Sequence, residues 1–96
     1  MITSKQRRFL RSMAHQLDPV IFIGKAGITE NVIKEVDLCL EARELVKIKL
    51  QEGCELKAEE AADQLRSLVG AEFVQAIGRK FTLYRESKEK KQIILP

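Results

Sequence analysis

Four residues, Val20-Ile21-Phe22-Ile23, constrain this chain more than any others. They form a continuous apolar run rich in β-branched side chains, set between Asp18-Pro19 and Gly24. The residue before a proline avoids the helical region, so the backbone enters this run extended. A short apolar run with such boundaries reads as a strand buried on both faces, and hence as a central strand of a sheet. Helical periodicity stands on either side of it. An apolar strand between the first two helices argues against a DNA-binding helix-turn-helix.

The flanking segments carry their own start and stop signals. Residues 4–16 read as a helix: Thr3 and Gln6 have capping-box spacing, and Phe9, Leu10, Met13, Ala14 and Leu17 make one apolar stripe. A second helix follows Gly27, with Thr29 as its N-cap and Glu30 suited to its positive end. Its stripe is Ile28, Val32, Ile33, Val36, Cys39 and Leu40, and Leu38 falls outside it. Residues 44–51 alternate, with Val46, Ile48 and Leu50 on one face and Lys47 and Lys49 on the other. That pattern predicts a half-buried strand with a basic outer face.

After the Glu52-Gly53 turn, residues 56–69 predict a third helix stopped by Gly70. Residues 73–77 and 81–84 predict two strands joined antiparallel through Gly78-Arg79-Lys80. Phe81 and Tyr84 then face opposite sides, with Phe81 in the core. The charged run of residues 87–91 leads to Ile93-Ile94-Leu95-Pro96, which should pack or add a short edge strand. The order αβαβαββ predicts a single α/β domain over residues 1–96. It has three helices and a four-stranded mixed sheet, helices on at least one face, and parallel pairing in its first part.

Composition narrows the chemistry. Hydrophobic residues at 45% and charged residues at 32% suit a globular domain rather than a disordered one. Cys39 and Cys54 lack CxxC spacing, so free thiols in a reducing compartment are expected. No apolar segment approaches a signal peptide or a membrane span, so a cytoplasmic location and no membrane partner are expected. His15 is the only histidine, and no serine or cysteine stands in a nucleophile's sequence context. Glu52, Glu55, Glu59, Glu60 and Asp63 read as a solvated helix face and not as an acid/base pair. Neither a catalytic site, nor a zinc site, nor any cofactor is expected.

The net charge of +3 is a weak signal, but its distribution says more. Residues 1–11 carry +4 through Lys5, Arg7, Arg8 and Arg11, with no acid. Residues 28–72 carry six bases against eleven acids, and residues 73–96 carry six against two. If the fold brings the basic ends and Lys25 to one side, that side suits a polyanion.

Gly24-Lys25-Ala26-Gly27 is the sharpest feature of all. Two glycines three apart let the backbone approach a ligand without a Cβ in the way. Lys25 puts a charge at the tip, and the following helix start favours an anion. The loop is not a P-loop, lacking both the four-residue gap and the Gly-Lys-Ser/Thr ending. A KH-type GxxG loop holds nucleotides by their backbone in this way.

Lys5-Gln6-Arg7-Arg8-Phe9-Leu10 to His15, Pro19-Val20, and Gly24-Lys25-Ala26-Gly27-Ile28-Thr29 together resemble the YhbY family. This is the stand-alone bacterial form of the CRM (chloroplast RNA splicing and ribosome maturation) domain. Further matches are residues 44–49, Ile77-Gly78-Arg79, Leu83-Tyr84-Arg85 and Leu95-Pro96, in order over nearly the whole chain. The resemblance implies a fold similar to the C-terminal domain of translation initiation factor 3. It also implies an RNA-binding role on ribosomal RNA in large-subunit precursors, assisting ribosome assembly. Plant relatives carry the domain in group II intron splicing factors. The RNA-binding residues expected are Gly24, Lys25, Ala26 and Gly27 from the family's loop. Lys5, Arg7, Arg8, Arg11, Arg79, Lys80 and Arg85 join them by charge and expected exposure. A monomer is expected, with ribosomal proteins or assembly factors as further partners. The alternative is a protein-interaction adaptor that docks through the acidic middle and Leu38.

Overall fold

A computed structural model describes all 96 residues, Met1–Pro96. The chain forms α1 (Ser4–Ala14), β1 (Ile21–Ile23), α2 (Glu30–Arg43), β2 (Leu45–Leu50), α3 (Ala58–Val69), β3 (Glu72–Ile77) and β4 (Lys80–Tyr84). Local chemistry sets these limits. Thr3 Oγ1 accepts from Gln6 N at 3.1 Å while Gln6 Oε1 accepts from Thr3 N at 2.9 Å, closing the capping box at the start of α1. Thr29 Oγ1 accepts from Val32 N at the start of α2. Gly70 takes the left-handed conformation that stops α3.

The sheet order is β1-β2-β4-β3. β1 and β2 run parallel, with Ile21 opposite Ile48 and Ile23 opposite Leu50, and α2 supplies the crossover that parallel neighbours need. The remaining pairs are antiparallel. On the inner face Ile21, Ile23, Val46, Ile48, Leu50, Phe81 and Leu83 pack against Val36 and Leu40 of α2 and Ala61, Ala62 and Leu65 of α3. On the outer face Leu45, Val74 and Tyr84 pack against Leu10 and Ala14 of α1. Helices therefore cover both faces, and Phe81 and Tyr84 belong to opposite clusters as strand alternation requires.

β1 departs from expectation. It is an edge strand and not a central one, and it is buried on its inner face only: Phe22 is 48% exposed. The run looked doubly buried because four apolar residues in a row conceal a period of two. α1 covers the far half of the outer face and leaves β1 open.

β2 departs as well. Its outer face is not simply basic, because Leu45 is buried under α1. Lys47 Nζ donates to Ala14 O at 3.0 Å and Leu17 O at 3.2 Å, satisfying carbonyls where α1 ends. Only Lys49 stands free on that face. The expected α1 stripe is narrower too, with Leu10 and Ala14 buried and Phe9 and Leu17 partly exposed.

The C-terminal segment adds no strand. Ile93 and Leu95 pack on the outer cluster, held by two carboxylates. Glu44, fully buried at φ 67° after α2, accepts from Ser87 N, Gln92 N and Ile93 N, each at 2.7 Å. Burial by itself would push the Glu44 carboxyl up, but these three donors outweigh it and hold the carboxyl below its ordinary value. Glu41 is lowered by the Ser87 hydroxyl first and the Lys88 and Glu89 amides after it.

Candidate nucleic-acid interface

The topology brings three connections to one end of the sheet. β1 ends there at Ile23 and runs into residues 24–27. β2 ends beside it, since Ile23 pairs with Leu50. The β3–β4 hairpin joins them, since Lys49 pairs with Lys80.

Residues 24–27 form a tight turn in which Gly27 N donates to Gly24 O at 3.0 Å. Lys25 and Ala26 stand exposed at its tip. The two glycines serve different needs. Gly27 has φ +75°, a conformation that disfavours any side chain. Gly24 needs no special φ, but a Cβ there would meet Gln51 Oε1 at 3.3 Å. The turn after β2 is tied to the same point, with Gln51 N donating to Ile23 O at 2.9 Å. At the start of α2, Thr29 caps Val32 N, while the Glu30 and Asn31 amides have no partner in the fold. Those amides and Lys25 offer an anion three donors within one turn of chain, with the exposed Glu30 carboxylate beside them.

The other expected contact residues divide into two groups. Lys5, Arg8 and Arg11 are exposed along α1 at spacings of three, and His15 continues the line four residues on. Lys80 is exposed on the hairpin. Lys80 lies at the loop end of the sheet, whereas α1 starts over the opposite end, where Ile2 N donates to Glu72 Oε1, and runs from Lys5 towards the loop end through Arg8, Arg11 and His15.

Arg7, Arg79 and Arg85 are engaged within the protein. Arg7 Nε donates to Phe73 O at 3.1 Å, fastening α1 to β3. The Arg79 guanidinium donates to the carbonyls of Gln51, Cys54 and Leu56 at 3.1, 2.8 and 3.3 Å. Arg85 donates to Asp37 Oδ1 at 2.6 Å, Asp37 O at 2.9 Å and Val69 O at 2.8 Å. Arg85 and residues 87–91 sit by the C-terminal half of α2, a helix about 21 Å long, so they lie far from the Lys25 turn. The expected single positive face is thus smaller than the basic ends suggested.

Two surface features escaped the reading of the sequence: exposed Phe22, and a shallow cavity of about 370 Å³ lined by His15, Lys47, Gln75, Lys80 and Thr82 among others. Correct edge placement of β1 would have revealed the first. The second depends on where α1 ends above the sheet, which no local pattern records. No three His, Cys, Asp or Glu side chains gather as a metal site, and no helix is long and apolar enough to cross a membrane.

This arrangement can be set beside proteins already described. The sequence profile of the CRS1 / YhbY (CRM) domain matches residues 2–85. The chain belongs to the CRM domain family. YqeI of Bacillus subtilis, named as a probable RNA-binding protein, is 47% identical over 96 residues, covering 100% of both chains. An RNA-binding protein of Haemophilus influenzae is 34% identical over 90 residues, covering 94% of this chain and 91% of its own. A probable RNA-binding protein of Methanocaldococcus jannaschii is 42% identical over 86 residues, 88% of this chain and 63% of its own. The solution structure of a Staphylococcus aureus protein, 48% identical, matches this CRM domain with a TM-score of 0.83 over 100% of both chains. These names point to RNA-binding proteins and not to enzymes.

Proposed function

We propose that this CRM-domain protein binds RNA in the cytoplasm, and that its target is ribosomal RNA in precursors of the large subunit, whose assembly it assists. The observation that carries the RNA reading is the convergence at one end of the sheet of the Gly24–Gly27 turn, the open amides of α2, and Lys25, Lys49 and Lys80. Cations near a turn that admits close approach suit contact with a sugar–phosphate backbone. Lys5, Arg8 and Arg11 extend the contact along α1. The names of the relatives support RNA as the partner, and the family resemblance supplies the ribosomal target.

The test is a titration of the wild-type chain and a Lys25→Ala, Gly27→Asp double variant against large-subunit ribosomal RNA fragments. The variant removes one phosphate contact and adds a repelling carboxylate, so affinity should fall about tenfold or more, with a shallower salt dependence. Unchanged affinity in a folded variant sinks the assignment of the turn.

One observation favours the adaptor reading. Leu38 is 69% exposed on α2, beside Asp37 and Glu41, away from the Lys25 turn. If the protein stays with large-subunit precursors after their RNA is digested, that surface and not the turn is the main attachment.

A further inference from the structure

α1 covers only part of the outer face of the sheet. Its buried contacts are with Leu45, Val74 and Tyr84, at the end away from the Lys25 turn. At the turn end, each of the four strands presents one side chain outward in a single cross-strand row. Phe22 pairs with Lys49, Lys49 with Lys80, and Lys80 with Ile77. Phe22 is 48% exposed, Ile77 is 60% exposed, and both lysines are exposed without an ion-pair partner. The row holds no acid, and it spans roughly 14 Å at the usual strand spacing.

Two hollows extend the row. On one side a cleft of about 470 Å³ is lined by Phe22, Lys49, Gln51 and Glu52, and its Gln51 is the residue whose Oε1 lies against Gly24. On the other side lies the cavity that holds His15, Gln75, Lys80 and Thr82. Thr82 faces outward between Lys47 and Gln75, has no exposure, and has a hydroxyl without any hydrogen-bond partner in the fold. Buried hydroxyls are nearly always paired, so this one marks a place where a polar partner belongs.

The geometry points to this row as a platform for an unpaired stretch of RNA, deepening the function proposed above and resting on it. A base stacks on the Phe22 ring, and Lys49 and Lys80 take the adjoining phosphates. The next nucleotide enters the cavity beside His15, where the Gln75 amide can meet a ribose or a base edge. An aromatic ring flanked by cations is the chemistry that holds single strands, because every base has a flat face and every nucleotide a phosphate. A duplex keeps its base faces stacked on one another and offers nothing to Phe22. The platform continues into the Lys25 turn through Gln51, so one strand can occupy both.

The experiment compares a labelled RNA hairpin carrying an unpaired loop with a fully paired duplex of the same stem. Phe22→Ala should weaken hairpin binding about tenfold and leave duplex binding unchanged. The chain has no tryptophan, so Phe22→Trp places a single indole on the row. That variant should bind the hairpin as tightly as wild type, with its fluorescence quenched on binding and unaffected by the duplex. Full hairpin affinity in Phe22→Ala overturns the platform, as does an unquenched indole in Phe22→Trp when the RNA label reports saturation. If wild type binds neither RNA at low salt, the RNA function itself fails. If it binds both and Phe22 is indifferent, the platform alone fails.

Discussion

Replacing Arg79 with alanine separates two jobs that charge alone cannot tell apart. The guanidinium spans three carbonyls of the 51–56 turn, and only the bond to Cys54 O, at 2.8 Å, is partly buried. A hydrogen bond from a charged donor contributes about 1.5–3 kcal/mol when shielded, and much less where water can replace it. Taking about 1.5 kcal/mol for the Cys54 bond and about 0.5 kcal/mol for each of the others gives about 2.5 kcal/mol. For a domain of this size that lowers Tm by about 10–20 °C. The backbone bond from Leu50 N to Arg79 O survives the substitution, so the hairpin should still form. Thermal unfolding followed by circular dichroism reads the stability. RNA affinity across a salt series, taken below the lowered Tm, reads the contact. A clamp that meets no phosphate leaves the slope of log affinity against log salt unchanged, whereas a lost phosphate contact flattens it by about 0.7–0.9. A variant with wild-type Tm and a flattened slope would refute the clamp and restore Arg79 to the RNA surface.

Two further outcomes follow from backbone and carboxylate geometry. Gly27→Ala should cost about 1 kcal/mol, seen as a lower urea midpoint with unchanged slope, because φ +75° is strained for any side chain. Gly24→Ala should cost less, since the tip of the Gln51 side chain can move; equal losses at both positions would contradict these assignments. Glu44 and Glu41, both held below the ordinary glutamate value of 4.5, secure residues 87–93 only while ionised. Their contribution is complete above that value and is lost as pH falls through their depressed folded values. Hydrogen-exchange protection of the Gln92 and Ile93 amides should therefore collapse in acid, and Glu44→Gln should weaken it near neutral pH. Protection that is unchanged in Glu44→Gln rules out Glu44 as the anchor.

Much of the fold was legible because short-range chemistry decided it. The Thr3–Gln6 box, the Thr29 cap, Gly70, the alternation in β2 and the Gly78 hairpin each act within a few residues. Element order followed from them. What remained hidden depends on pairing across the chain. β1 is an edge strand because β4 takes the far side of β2, a choice that no residue in Val20–Ile23 records. Phe22 looked like core for that reason. Glu44 resembled any other acid of the middle segment, although it is buried and anchors residues more than forty positions away. The turn at residues 24–27 was visible as a motif, while its link to β2 through Gln51 was not.

The division of the basic residues has a physical basis that refines the electrostatic argument. Arg7, Arg79 and Arg85 all reach backbone carbonyls, and Arg85 adds a carboxylate. A planar guanidinium carries several donors in a fixed fork and is weakly hydrated, so it loses little by binding acceptors already held in place. An ammonium is compact and strongly hydrated, and Lys25, Lys49 and Lys80 stay in solvent accordingly. The rule has exceptions both ways: Lys47 meets two carbonyls that converge on it at the end of α1 and replace its water, and Arg8 and Arg11 stay exposed on α1 where no carbonyl is in reach. The formal charge of the chain therefore overstates the number of cations whose donors are free for a polyanion, although the carbonyl-bound arginines keep their charge. The usable positive surface is set by which cations find no carbonyl in reach, and at the turn end those are Lys25, Lys49 and Lys80. Their uncovered neighbours in the same cross-strand row are Phe22 beside Lys49 and Ile77 beside Lys80, which ties the charge and an aromatic stacking surface to one patch.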